Sequence, residues 1–339
     1  SAGKALKLCP GLVFVRHHHE IYGEYSDKVM AIIDNYSPLV QRVSVDEAFI
    51  DVSDLRQSGK TIAIEMQAKV AKEVGLPCSI GVAANKLVAK IANDYGKSQV
   101  KTGKAPRAIT LVPFGHEQEF LAPLEIQSLW GVGPKTAQFL RDRGIKTIGQ
   151  LAEMPLSELE TIFGKYALEM KERAMGIDAS PVHSDHDIKS VSNETTFSMY
   201  LTDVTDMLSR LRQLSEKVGY RLRKAKLAGS VVQIKLRYSD FTTLTRQTIL
   251  PEPTNLDDEI FSAAEKLLRN NLIHGRELRL IGVGVHNLSE SNRQLSLWDR
   301  SAVRKDNLAK ALDSLKDKYG KDIIVRASMV KPKSPPGND

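Results

Sequence analysis

The sequence predicts a multidomain α+β protein, and three observations carry that expectation. Its 339 residues exceed what one hydrophobic core ordinarily organises. The middle of the chain, from just after Pro113 to Gly176, is patterned for helices alone. The C-terminal part reads strand, helix, strand, strand, helix, strand, a βαββαβ order expected to fold as a ferredoxin-like layer with its helices on one face of an antiparallel sheet. Hydrophobic residues make up 42% and charged residues 26% of the chain, as in soluble globular proteins. No apolar run reaches the length of a membrane span, and the N-terminus lacks a signal-peptide layout, so no membrane partner and a cytoplasmic location are expected. Cys9 and Cys78 stand alone in apolar contexts and read as reduced core thiols. A net charge of +7 permits a polyanionic partner without requiring one.

Taken in order, Leu12–Val15 reads as a short strand, and the His17-His18-His19 run after it as a solvated loop. Ile21, Tyr25, Val29, Ile33 and Tyr36 recur at helical spacing until Ser37-Pro38 ends the helix. The next stretch, Val43 to Val52, is an apolar strand pattern with two adjacent acids inside it. Successive strand side chains point to opposite faces, so both acids reach one site only where the chain turns. Val40–Val45 and Ala48–Val52 are therefore expected to be antiparallel strands with Asp46 and Glu47 at their connection. Paired carboxylates at a sheet end suit a hard divalent cation such as Mg2+, which takes oxygen ligands and retains waters and phosphates. A second helix follows on Ile62, Met66, Val70 and Val74, closed by Gly75.

Ser79-Ile80-Gly81-Val82-Ala83 then leads through a turn into a helix capped by Asn85. Leu87 and Ile91 face inward on it, while Lys86 and Lys90 sit four apart on the opposite side, able to point at an anion near the acidic hairpin. The Gly-rich run of a Walker loop is absent. Residues from Gly96 to Pro113 are polar and rich in Lys, Gly and Pro, and mark a domain boundary. Leu124–Leu129 and Lys135–Arg143 read as helices joined by Gly131-Val132-Gly133-Pro134. That turn leaves N–H groups free at a helix N-terminus, with Lys135 beside them, a place for one phosphate. The spacing is that of a helix-hairpin-helix, which grips DNA backbone without reading bases. Capping boxes are expected at Thr147/Gln150 and Ser157/Glu160, and a last helix near Lys165–Met175.

A polar linker precedes the βαββαβ part. Its strands are expected at Val191–Met199, Ser230–Tyr238, Thr242–Leu250 and Glu277–Val285, its helices at Val204–Lys226 and Leu256–Leu272. Arg221, Arg223, Lys224, Lys226, Lys235, Arg237 and Arg246 face only Asp240 there, and alternation puts Lys235 and Arg237 on one side of a strand. Such a face suits a phosphate backbone, and no series of stacking aromatics stands out. In the tail, Gln294, Leu295, Leu297 and Trp298 form a Leu/Trp peptide in polar surroundings, suited to a partner's groove. Beyond it, Leu308, Leu312 and Leu315 mark an amphipathic helix.

Ser44-Val45-Asp46-Glu47-Ala48-Phe49 resembles the second catalytic motif of the Y-family (translesion) DNA polymerases, of the DNA polymerase IV type. The Ser79–Ala92 segment resembles their strand-to-helix motif, and Gln294–Trp298 their sliding-clamp-binding peptide. The resemblance covers nearly the whole chain. It implies a ferredoxin-like palm portion (1–98), a helix-hairpin-helix thumb (99–178), a linker (179–190), a little finger (191–289) and a tail (290–339). It also implies a monomer that binds primer-template DNA, a dNTP and a sliding clamp. The implied chemistry is attack by a primer 3′-hydroxyl on the dNTP α-phosphate, with two Mg2+ ions about 3.5–4 Å apart. Asp46 would bridge the metals, Glu47 hold the one at the 3′-hydroxyl, and Lys90 offset triphosphate charge. The family's first catalytic aspartate, its aromatic steric gate and its fingers are not found. The chain, which starts at Ser1, is therefore expected to be a fragment inactive in primer extension alone. A non-catalytic, clamp-tethered DNA-binding scaffold is the alternative, against which the retention of both acids argues. A helix-hairpin-helix nuclease would need more carboxylates in one site than the chain assembles.

Overall fold

The computed structural model describes residues 2–100, 103–184, 188–291, 300–320 and 323–324. The chain divides into two compact units, Ser1–His186 and Asp187–Asp339. The first begins with helices α1 (Ala2–Leu8) and α2 (His19–Asp34), then strands β1 (Val40–Arg42) and β2 (Ala48–Ile50) and helix α3 (Gly59–Glu73). Strand β3 (Ile80–Val82), helix α4 (Lys86–Ser98) and strand β4 (Ile109–Leu111) follow. The all-helical part holds α5 (Glu117–Leu121), a 3-10 turn (Ile126–Ser128), α6 (Pro134–Arg141), α7 (Ile148–Glu153), α8 (Leu156–Phe163) and α9 (Ala167–Ala174).

Several sequence expectations are corrected here. Leu12–Val15 joins no sheet, and Val13 and Val15 are 80% and 78% exposed; a short apolar run becomes a strand only when a neighbouring edge accepts its hydrogen bonds. Cys9 is exposed and Cys78 half-buried, so neither is a core thiol. The polar run read as a domain boundary carries β4, paired in parallel with β3. A parallel pair needs a crossover, and α4 provides it, with its apolar face covered by both strands and the thumb-like helices. A three-residue strand among Lys, Gly and Pro leaves too few residues for a periodic signal. Among the described residues the palm-like part is two separate two-stranded sheets, β1–β2 antiparallel and β3–β4 parallel, rather than one ferredoxin-like sheet. Thr147 and Gln150 form the expected capping box, but Ser157 lies inside α8, whose N-cap is Pro155 without a side-chain bond.

The second unit contains β5 (Ser190–Leu201), α10 (Val204–Lys224), β6 (Leu227–Tyr238), β7 (Thr243–Thr254), α11 (Asp257–Asn271), β8 (Leu278–Glu290) and α12 (Arg300–Tyr319). The βαββαβ order is as expected. The strands lie β5-β8-β6-β7 in the sheet, all antiparallel. The ferredoxin-like arrangement would put the first strand inside the sheet; here it is an edge and the last strand takes the centre. Periodicity along a strand locates the strand and its buried face, but not which neighbour it pairs with. Helices α10 and α11 cover one face, and Leu211, Val218, Ile234, Ile260 and Val283 form the centre of the core. The expected amphipathic tail helix is α12, yet Leu308 is 60% exposed. It docks on α10 through polar contacts instead: Tyr220 donates to Asp317 at 2.5 Å and Arg223 grips Asp313.

Candidate active site

Residues Val43 to Glu47 close the β1–β2 hairpin: the amides of Val43 and Ser44 both donate to the Glu47 carbonyl, at 2.9 and 3.2 Å. Register continues with Arg42 opposite Ala48 and Val40 opposite Ile50. The turn therefore puts Asp46 and Glu47 side by side at the sheet end. Ser44 Oγ donates to Asp46 Oδ1 at 2.6 Å, which orients that carboxylate. Helix α4 brings Lys90 to the hairpin, and its Nζ donates to Glu47 Oε1 at 2.6 Å and to Asp94 Oδ1 at 3.4 Å. Burial pulls the Lys90 ammonium down, but the Glu47 bond and the charges of Asp94 and Glu47 outweigh it and hold its pKa raised. Asp46, Glu47, Phe49, Lys90 and Trp130 border one cavity of about 400 Å³.

The fold places four basic residues in ways their spacing did not show. Lys86 does not face the acids: its Nζ donates to Gln41 Oε1 at 3.0 Å and to the Pro181 carbonyl at 2.7 Å, tying the segment after α9 back onto β1. Arg246 pairs in register with buried Ile234, so it belongs to the helix-covered face of the sheet, away from Lys235. Lys235 and Arg237 do share the open face, where Lys235 donates to Glu194 at 2.9 Å across Gly282. Arg223 of α10 is consumed in buried ion pairs and Arg221 donates to the Ser192 carbonyl. Two partners escaped the sequence reading. Trp130 packs on Phe49 with ring centroids 5.8 Å apart, which only folding reveals, and Arg173 Nη1 lies 3.0 Å from where a Cβ on Gly131 would sit.

The helix-hairpin-helix turn has the expected geometry. Gly131 takes φ +98°, Gly133 is the N-cap and Pro134 the first residue of α6. Among the described residues the amides of Gly131, Gly133 and Lys135 donate to no protein acceptor, leaving a cluster of donors at the helix N-terminus. The peptide Gln294, Leu295, Leu297 and Trp298 lies outside the described residues.

The impB/mucB/samB family matches residues 1–94, its helix-hairpin-helix motif residues 115–145 and its C-terminal domain residues 188–297. DNA polymerase IV of Dehalococcoides mccartyi (strain BAV1) is 39% identical over 93% of the chain and 80% of its own length. The chain belongs to the Y family of DNA polymerases, of the DNA polymerase IV type. This is a family of DNA-directed DNA polymerases, nucleotidyltransferases of lesion bypass. DNA polymerase IV of Desulfatibacillum aliphaticivorans is 36% identical over 96% of the chain and 82% of its length. The fold is similar to that of a Y-family polymerase chimera built from Dbh and Dpo4, with a TM-score of 0.72 at 23% identity over 84% of this chain and 81% of that one. It is also similar to an insertion ternary complex of Dbh DNA polymerase, TM-score 0.59 at 23% identity with the same coverage. These Y-family relatives do not favour the non-catalytic scaffold. No helix among the described residues is long and apolar enough to cross a membrane.

Proposed function

We propose that Asp46 and Glu47 are metal-binding catalytic carboxylates of a template-directed, lesion-bypass DNA polymerase that extends a primer 3′-hydroxyl with a dNTP. The observation that carries this reading is the Glu47–Lys90 contact at 2.6 Å, which joins acids and a triphosphate-compatible lysine across 43 residues of chain. The donors fit a hard cation: both side chains offer carboxylate oxygens, and Asp46 Oδ2 and Glu47 Oε2 accept no hydrogen bond among the described residues. No group of three or more His, Cys, Asp or Glu side chains comes together among those residues, so the two acids offer only part of a metal's ligand shell. Two Mg2+ ions, when bound, would supply Lewis-acid stabilisation to the attacking and leaving oxygens. Lys90 would exchange Glu47 for a triphosphate oxygen and offset its charge. Gly131, Gly133 and Lys135 would hold one DNA phosphate, while Lys235 and Arg237 would bind backbone on the open sheet face, with Arg246 reaching DNA only from the edge strand.

The test is Mn2+ titration followed by electron paramagnetic resonance. Asp46→Asn is expected to weaken binding at least about 10–100-fold, and unchanged affinity would exclude these acids as ligands. The clamp contact belongs to the same reading, as do a monomeric state and a cytoplasmic location. Gln294, Leu295, Leu297 and Trp298 would anchor the chain to a sliding clamp. Trp298→Ala should abolish co-elution with the clamp while leaving the protein folded; persistent co-elution would move the contact elsewhere.

A further inference from the structure

We infer that the end of the C-terminal sheet where β6 turns into β7 is a stacking site for an unpaired nucleobase of single-stranded DNA, built on Phe241 and Tyr200 around Arg279. The inference rests on the DNA-binding part of the proposed function and adds a base-contacting surface to it. Phe241 comes from the β6–β7 turn, Tyr200 from the end of β5 and Arg279 from the start of β8, so folding alone brings them together. The Arg279 guanidinium carbon lies 4.7 Å from the Phe241 ring centroid and 5.7 Å from that of Tyr200, and Nη1 donates to the Tyr200 hydroxyl at 3.0 Å. Beside them Arg276 stands over the Tyr238 ring at 4.5 Å and pairs with Asp240, and Arg237 Nε donates to Thr243 at 2.8 Å. The result is a rim of three arginines with two aromatic rings held in place by one of them.

Phe241 is 62% exposed and Tyr200 38%. A single exposed ring needs no explanation. Phe241 also carries φ +67°, a left-handed backbone that bulky L-residues rarely adopt. The turn does not require phenyl there. The Phe241 amide donates to the Tyr238 carbonyl, the Tyr238 amide to the Thr242 carbonyl, and the Thr242 amide to Asp240 Oδ1, each at 3.0 Å. Glycine or asparagine would close the same turn with less strain. An aromatic kept both exposed and strained points to a binding role. The open face of its ring can take any base, because every base has a π-face, and neighbouring guanidiniums suit the phosphates that flank it. A site for duplex backbone alone would have no use for the rings.

The experiment measures fluorescence anisotropy of the full chain with three labelled DNAs. They are a primer-template with a single-stranded template overhang, the same molecule with an abasic overhang, and the blunt duplex. Phe241→Gly should bind the overhang DNA about 10-fold more weakly than the unsubstituted protein, with equal affinities on the abasic and blunt DNAs. Its Tm should rise, since the turn is relieved. Phe241→Leu keeps the strain but removes the ring, and should lose the same overhang affinity without the gain in Tm. Unchanged overhang binding by both variants, or an equal loss on the blunt duplex, overturns the stacking site. If the unsubstituted chain binds none of the three DNAs, the DNA-binding reading fails and this site with it.

Discussion

Arg223→Ala is expected to lower the unfolding free energy of the C-terminal unit by about 3–5 kcal/mol, the usual cost of removing one partner from a buried ion pair. The Arg223 side chain is 7% exposed. Its Nε and Nη2 reach Asp313 Oδ2 and Oδ1 at 2.6 and 2.9 Å, and Nη1 reaches Asp257 Oδ1 and the Asn255 carbonyl at 2.7 Å each. Burial opposes the charge, but the bonds to Asp313 and Asp257 more than compensate and raise its pKa. Truncation leaves two carboxylates, 15% and 19% exposed, without the cation that lies between them. It also takes away one anchor of α12, leaving the Tyr220–Asp317 bond at 2.5 Å and the Lys316–Glu216 pair at 3.9 Å. Urea unfolding followed by circular dichroism measures the loss. A change under about 1 kcal/mol would mean that the pair behaves as an exposed one and that α12 is held by something else.

Gly81→Ala should destabilise the N-terminal unit by about 3 kcal/mol, at the upper end of overpacking costs. A Cβ on Gly81 would stand 1.9 Å from the Ala89 carbonyl oxygen and 2.7 Å from the Asn93 amide nitrogen. Both are backbone atoms of α4, so no rotamer change relieves the clash and the helix itself must shift. Because α4 carries Lys90, the Lys90–Glu47 contact should loosen together with the core. The measurements are Tm, and Mn2+ affinity at the acidic hairpin. A Tm within a few degrees of the unsubstituted protein would show that β3 and α4 are not in direct contact.

The acidic hairpin was legible in the sequence because a two-residue acid pair inside an apolar alternation leaves the chain little choice but to turn there. The Asn85 cap, the Gly-x-Gly-Pro turn and the Thr147/Gln150 box were legible for a similar reason: each is a bond or a backbone angle settled within four residues. Ser157/Glu160 has the same pattern and failed, since Pro155 two residues earlier starts α8 first. The contacts of Lys86 and the face of Arg246 could not be read from their spacing. The partner of Lys86 is Gln41, 45 residues away, and the face of Arg246 depends on its register with Ile234. The stacking cluster escaped altogether, because Tyr200, Phe241 and Arg279 meet only when three strands reach the same end of the sheet.

The residues by themselves determined the family, the two acids, the lysine of α4, the phosphate-ready turn and the βαββαβ order. These are read from motifs and periodicities that a few neighbouring residues complete. The tertiary structure alone decided that Glu47 rests on Lys90, that Lys86 is a fastening, that the last strand of the second unit runs through its middle, and that Phe241 stands strained beside Arg279. Those outcomes depend on pairing between distant backbone edges and on charges meeting across the fold. Neither is encoded in any short stretch of chain.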